Sequence, residues 1–416
     1  MTRRYQSRRA IFSVCLRHWE RGFLVQICSY GYTISFGVYQ DFYAQHYLPD
    51  QSSSAISWIG STNAFLFEIF GLVSGRLHDR GYFYHVMIGG ATLQALSLFM
   101  LSLAGPGKYY QIFLAQGIGS GIASGLIFIP SLAVLSHHFE KRLALVMMLV
   151  ASGTCFGSII HPIMLNNMLN GRLGFANGVR VSAGLISALL FIACLVMRTR
   201  LPSSSSPENF LQVSKKCLRD SAYLFGAAGL TLFIIWFYYP LFYLQLNSFS
   251  HNLNTTFSFY SLVIMNSASF VGQLASGLLA NVFGVTNAII LSNVGATALL
   301  FAMVGIRTVT SVVLFGVIYG FFAGAFLSLW APVLTLLTPD LAELGARMGL
   351  ACVIMALGGL VGPPISGALL TDQYIWWRTA VFNGAVAAVG TVFLMIMKVI
   401  LARRRCDSVT NNEEGE

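Results

Sequence analysis

Charge is what this sequence has least of. Only 10% of its 416 residues are charged, where a soluble domain carries about 25%. Acidic groups are scarcest, 15 against 25 basic ones. From Asn252 to Ile306 neither sign occurs, and a chain this poor in charge is excluded from the ordinary soluble class. Its seven cysteines are scattered singly, with no CxxC and no metal-ligand spacing, so they read as small buried hydrophobes. Ala104–Tyr109 (AGPGKY) has the look of a phosphate loop, but Ser102 and Tyr109 break the pattern GxxxxGK[ST]. Gly117, Gly119, Gly121 and Gly125 miss the dinucleotide spacing, and no strand precedes them. No ATP site and no cofactor are expected. The His161, Glu68 and serine positions form no convergent catalytic set, which excludes a membrane enzyme. The basic N-terminus meets the first apolar run without an A-x-A-like cleavage site, so that run reads as retained.

What is present is hydrophobic: 56% of residues, with a mean hydropathy of +0.70. Gly22–Gln40 is free of charge for 19 residues, enough to cross roughly 30 Å of hydrocarbon. Twelve such segments are predicted. In the first half they are about 22–47, 53–77, 83–104, 109–137, 143–169 and 175–197. In the second half they are 220–246, 255–280, 285–305, 308–337, 348–370 and 377–401. Turn signals separate them, among them Pro49-Asp50, Asp79-Arg80-Gly81, Pro106-Gly107-Lys108 and Asn170-Gly171-Arg172. The expected fold is an all-α integral membrane protein with twelve transmembrane helices in two pseudo-symmetric six-helix bundles. A basic tail (1–21), a first bundle (22–197), a hydrophilic linker (198–219), a second bundle (220–401) and a short tail (402–416) follow from it. The linker has five basic residues, two prolines and four consecutive serines, a composition that reads as flexible.

Twelve spans put both termini on one side. Placing them in the cytoplasm puts 20 of the 25 Lys/Arg residues inside, leaving Lys108, Arg172, Arg180, Arg307 and Arg378 outside. That is the positive-inside asymmetry, and it accounts for the net charge of +10 with no nucleic-acid partner. The sequon Asn254-Thr255-Thr256 falls on the outer side. A monomer in the plasma membrane, in preference to the vacuolar one, is the expected setting.

A shift of 202 residues lays the halves over each other: Ser74, Gly75 and Leu77 on Ser276, Gly277 and Leu279, and Pro130 and Pro162 on Pro332 and Pro364. Parallel six-span repeats hold a solute between them near the bilayer midplane. The segment GRLHDRG (Gly75–Gly81) resembles the loop G-x-L-x-D-R-x-G-R-[RK] of the major facilitator superfamily, with Tyr82 and Tyr84 where basic residues are usual. FGVYQDFY (Phe36–Tyr43), SAISWIGS (Ser54–Ser61), HHFEKRLAL (His137–Leu145) and RMGLACVIMALGGLVGPPISGAL (Arg347–Leu369) are similar to fungal members of its monocarboxylate-porter branch. The resemblance implies a secondary transporter moving a small organic solute, monocarboxylate-like or a fungal metabolite, by alternating access and with a proton as co-substrate. Span 8 lacks the Asp/Arg pair of animal monocarboxylate transporters, so neither their selectivity nor their coupling carries over. Metabolite export and a non-transporting sensor are the rival readings. Span 5 has Gly153 and Gly157 but not the Gly-Pro pair of drug antiporters, which argues against export.

Candidate residues follow. Arg76, Asp79 and Arg80 are, by resemblance, a cytoplasmic latch; otherwise they are a solvated positive-inside turn. Glu68 is an acid inside a span, costly in hydrocarbon and a functional candidate for that reason; it is a proton carrier or a neutral structural acid. Ser61, Ala64, Gly71 and Gly75 share its helix face, which should pack closely and shield it from lipid. His161, beside Pro162, shares a proton with the cargo or satisfies the broken helix. Asp41 and Arg180 form an outer gate pair or sit at the interface. Cavities in this fold are lined by spans 1, 4, 7 and 10, and midpoint counting gives Tyr32, Ser35, Ser124, Trp236, Tyr319 and Trp330. Asn63, Asn266 and Gln273 add polar groups from spans 2 and 8, a set suited to a planar, moderately apolar solute. Gly117, Gly121 and Gly125, four apart, should give one smooth face for a neighbouring helix.

Overall fold

In hydrocarbon every backbone N–H and C=O needs an internal partner, so apolar runs of this length fold as helices. The computed structural model describes residues 20–137, 143–197, 210–251, 253, 255–339, 343–371 and 374–413. The N-terminal tail to residue 19, Lys141 and Arg142, the linker before Phe210 and Asn254 of the sequon lie outside the described residues. All secondary structure described is helical.

The helices are α1 (residues 20–47), α2 (Ser53–Asp79), α3 (Phe83–Leu101), α4 (Tyr109–Ala133), α5 (Leu143–Leu169) and α6 (Gly174–Val196). They continue with α7 (Ser221–Ser250), α8 (Thr255–Phe283), α9 (Val285–Ala302), α10 (Val309–Leu336), α11 (Leu344–Leu370) and α12 (Trp376–Glu413). Among the described residues, ten helices are continuous and apolar enough to cross a membrane. Two turns show why the breaks fall where they do. Gly81 (φ 87°) and Gly284 (φ 79°) adopt the left-handed backbone that ends one helix and starts the next.

α1 is not a uniform helix. Ile27–Gly31 and Tyr43–Tyr47 are π-helical, and Ser35, with ψ near 0°, separates Tyr32–Ile34 from Phe36–Phe42. α4 contains a third π-helical stretch, Phe113–Gly119. A π turn shifts the hydrogen-bond ladder; such turns are rare and frequently lie at functional sites.

The chain divides into two compact units. The first is Met1–Ser205 with Leu241–Leu246 and Asn254–Val263; the second is Ser206–Pro240, Asn247–Leu253 and Ile264–Glu416. In the first, the expected glycine face exists. A Cβ on Gly117, Gly121 or Gly125 would lie 3.3, 2.8 or 2.4 Å from the carbonyl oxygens of Ile59, Asn63 and Phe67, so α4 lies backbone to backbone along α2. Glycines do the same in the second unit, where Cβ atoms on Gly320 and Gly324 would meet the Met265 and Ser269 carbonyls.

The linker differs from its reading. Phe210–Cys217 is a helix whose Val213 and Cys217, one turn apart, are buried, while Lys216 reaches Glu343. An amphipathic stripe of two apolar residues and one ion pair is enough to dock a short helix that its polar composition alone would leave in water. α12 likewise runs past the expected end at 401.

Candidate functional site

Within the first unit, α1, α2 and α4 bring a group of polar side chains together. Tyr32 donates to the Tyr39 hydroxyl at 2.9 Å, and Tyr43 donates to Oε1 of Gln116 at 2.6 Å. Asn63 Nδ2 donates to the Gln116 carbonyl at 2.7 Å. All five residues are buried. Tyr32, Tyr39 and Tyr43 are seven and four apart, so they stack along one face of α1, with Tyr39 and Tyr43 ring centroids 5.6 Å apart. Tyr43 and Gln116 each sit inside a π segment.

The irregular backbone of α1 is satisfied locally. Ser29 and Ser35 bond back to the carbonyls of Val25 and Gly31. Nε2 of His161 lies 3.1 Å from the Ile27 carbonyl; a carbonyl only accepts, so Nε2 carries the hydrogen. The imidazole stands edge-on to Tyr32, 5.6 Å between centroids. Gly153 and Gly157 bring α5 against Phe23 and Ile27 of α1. Gln26 joins three helices, donating to Ser131 at 3.0 Å and accepting from Thr154 at 3.2 Å.

Asp41 is buried and accepts from Gln45 and, at 2.8 Å, from Gln245 Nε2. Gln245 belongs to the Leu241–Leu246 stretch of this unit, where Tyr243 also meets Ser57 and Gly37 lies under the Leu241 carbonyl. Arg180 is exposed and donates to Asn177. The expected Asp41/Arg180 pair is therefore not formed: two amides satisfy the carboxylate instead.

Glu68 is half-buried at the edge of the face that Gly71 and Gly75 present to Ile129, so the packing is as expected but the acid is not enclosed. Among the described residues no hydrogen bond or ion pair joins it. Ser124 donates to Gln94 of α3 at 3.3 Å, which places it in the α3–α4 seam and apart from the tyrosines. Arg76 and Arg80 are exposed; the side chain of Asp79 lies outside the described residues.

In the second unit α7 and α10 form an aromatic box. Phe233 stacks on Phe326 at 3.8 Å, and Trp236 meets Phe233 and Tyr319 edge-on at 4.8 and 6.1 Å. Tyr319 donates to the Phe237 carbonyl at 3.2 Å. The Trp236 indole N–H is buried and has no hydrogen-bond partner among the described residues; Pro240, one turn on, interrupts the α7 ladder. Asn266 of α8 is buried, while Gln273 and Trp330 are half-buried.

A second polar centre in this unit has no counterpart among the expected residues. Glu343 is held by Lys216 and, at 3.1 Å, by Arg347; Arg347 also lies 3.5 Å from Asp220, which Arg404 bonds at 2.7 Å. Lys216 and Arg347 hold the Glu343 carboxyl below the usual carboxylate range. Burial, the largest single influence, pushes Asp220 up, but Arg404 and the N–H groups of Tyr223 and Ala222 together outweigh it, and its value is lowered. Gln116, Tyr39 and Tyr43 were missed because midpoint counting ignores helix face. Glu343 and Arg347 gave a usable signal, an acid four residues before a base.

The family model described as Major Facilitator Superfamily matches residues 22–276 and 257–415. The chain is 34% identical to the aspyridones efflux protein of Emericella nidulans over 90% of this chain and 76% of that one. It is 32% identical to the agnestins efflux protein of Paecilomyces divaricatus, covering 91% and 86%. Against the fujikurins efflux protein of Gibberella fujikuroi the identity is 32%, covering 95% and 84%. The crystal structure of the nucleoside transporter NupG superposes with a TM-score of 0.72 at 14% identity, covering 92% of this chain and 99% of that one, a likeness of fold.

Proposed function

The chain belongs to the major facilitator superfamily, a secondary transporter of small organic solutes and not an enzyme, and from that premise we propose that it exports a planar, hydroxyl-bearing fungal metabolite. The observation that carries this reading is the make-up of the two buried clusters. The tyrosine–glutamine–asparagine group of the first unit and the tryptophan–tyrosine box of the second offer ring faces and neutral hydrogen-bonding groups. A monocarboxylate needs a fixed cation, and the one fully buried Arg or Lys among the described residues, Arg347, is already bound to Glu343 and Asp220. Export is favoured over uptake by relatives named as efflux proteins along nine-tenths of the chain. The missing Gly-Pro pair weighs less than that, since Gly153 and Gly157 pack α5 on α1 whichever way cargo moves.

Tyr32, Asn63, Trp236, Tyr319 and Asn266 are the cargo-facing residues of this reading, joined by Tyr39, Tyr43 and Gln116. A proton gradient directed inward powers export only by exchange, so antiport replaces the expected symport, with Glu68 as the proton's carboxylate. The carrier sits in the plasma membrane with both termini cytoplasmic. Inside-out vesicles containing the purified protein test it, with a labelled panel of aromatic metabolites and monocarboxylates, with and without an acid interior. The expected result is gradient-driven accumulation of planar hydroxylated compounds, abolished by Glu68→Gln while exchange persists. Accumulation of lactate or acetate in preference to them would sink the reading.

A further inference from the structure

Basic residues cluster at one end of the second unit in a form that the ion pairs there do not use up. Lys215 lies within the docked linker helix, Arg219 lies two residues past its end, and Arg403 lies where α12 leaves its apolar stretch; all three are exposed. Lys216 and Arg404 pair with Glu343 and Asp220, yet their side chains remain 64% and 46% exposed. The contacts among Lys216, Glu343, Arg347, Asp220 and Arg404 form one continuous chain, so these elements make a single surface. Among its described residues, five exposed basic groups outnumber the two acidic ones, Asp220 and Glu343. Leu218, 59% exposed, stands between Lys216 and Arg219. The surface lies where α7 begins and α12 leaves its apolar stretch, the level at which a bilayer presents its headgroups.

We propose that this face binds the headgroup phosphate of an anionic phospholipid, with Lys215, Arg219 and Arg403 as the phosphate contacts and Leu218 reaching the acyl boundary. Clusters of four to eight basic residues just cytoplasmic of a span bind anionic lipid, each contributing about a fivefold gain in affinity near the surface. Positive-inside placement requires only that such charges stay on one side. It does not require a linker helix to bury its own Val213 and Cys217 in the unit and turn its lysines outward. The docked helix thereby fixes Lys215 and Arg219 beside α12, which a flexible linker would not do. A headgroup is favoured over a soluble phosphate because the exposed leucine and the span ends give the ligand an apolar side to occupy.

Native mass spectrometry of the full-length protein, released from nanodiscs of equal phosphatidylserine and phosphatidylcholine, tests this. The wild type should retain phosphatidylserine about tenfold over phosphatidylcholine. The triple variant Lys215→Gln/Arg219→Gln/Arg403→Gln should lose that preference, and its exposed positions leave the ion-pair chain intact. A control triple, Arg172→Gln/Arg307→Gln/Arg378→Gln, removes the same charge elsewhere and should keep it. Equal retention of both lipids by the wild type, or an equal loss in both triples, overturns the proposal. So does displacement of phosphatidylserine by inositol hexakisphosphate at equal concentration, which would make this a site for soluble phosphate.

Discussion

At the scale of single residues, the hydrogen bond from Tyr43 to Gln116 is the most exposed to test. Both side chains are buried, so Gln116→Leu strands the Tyr43 hydroxyl at a cost of about 1–3 kcal/mol. Tyr43→Phe removes the donor and leaves Oε1 unused. The double variant should lose less stability than the two single ones added together, a coupling that thermal midpoints in detergent would report. If the cluster also faces cargo, both single variants should weaken binding of the exported compound severalfold. Asp41 offers a second residue test. Among the described residues its carboxylate is met only by amide donors from Gln45 and Gln245, so Asp41→Ala should leave both amides unpartnered and lower the midpoint, while Arg180→Gln should change it little. A midpoint falling equally in both would restore the gate pair.

At the scale of helices, the α2–α4 seam makes the sharpest prediction. A Cβ at Gly125 would sit 2.4 Å from the Phe67 carbonyl and one at Gly121 2.8 Å from that of Asn63, and backbone cannot yield as a side-chain tip can. Gly125→Val and Gly121→Leu should therefore force α2 and α4 apart and leave little folded protein in fluorescence-detected size exclusion. Gly89 has open space at its Cβ position, so Gly89→Ala should be neutral or slightly stabilising. The periodic glycines and the small face around Glu68 were both legible in the sequence, because close helix packing depends on residue size at a fixed spacing. Where the Tyr32, Tyr39 and Tyr43 hydroxyls lead was not legible. Tyr43 and its partner Gln116 sit in the π segments Tyr43–Tyr47 and Phe113–Gly119, and nothing in an apolar run marks where a helix will shift its ladder.

Across the whole molecule, stability should follow acid in a way that the ion-pair chain sets. Asp220 and Glu343 are both held below the usual carboxylate range in the folded protein. The unfolded chain therefore takes up their protons first, and the stability they contribute is complete above about pH 5 and lost as pH falls through the lowered values. Unfolding midpoints measured from pH 7 to pH 3 should fall steeply at the acid end. Arg347→Met, which leaves Asp220 and Glu343 with the exposed partners Arg404 and Lys216, should lower the midpoint at pH 7 and flatten that acid limb. An unchanged limb would mean the two carboxylates do not govern acid stability.

The sequence by itself determined that this chain lives in a membrane, which stretches cross it and which glycines face a neighbour. Those properties follow from transfer of apolar side chains out of water, from backbone groups that must pair within a helix, and from residue volume at helical spacing. All three act locally along the chain. Only the tertiary structure decided that Asp41 answers to Gln245, that Gln116 lies under Tyr43, and that the polar linker folds its last residues, Phe210–Cys217, onto Glu343. These join groups 204, 73 and 127 residues apart, and the choice among competing partners is made by packing that no local pattern encodes.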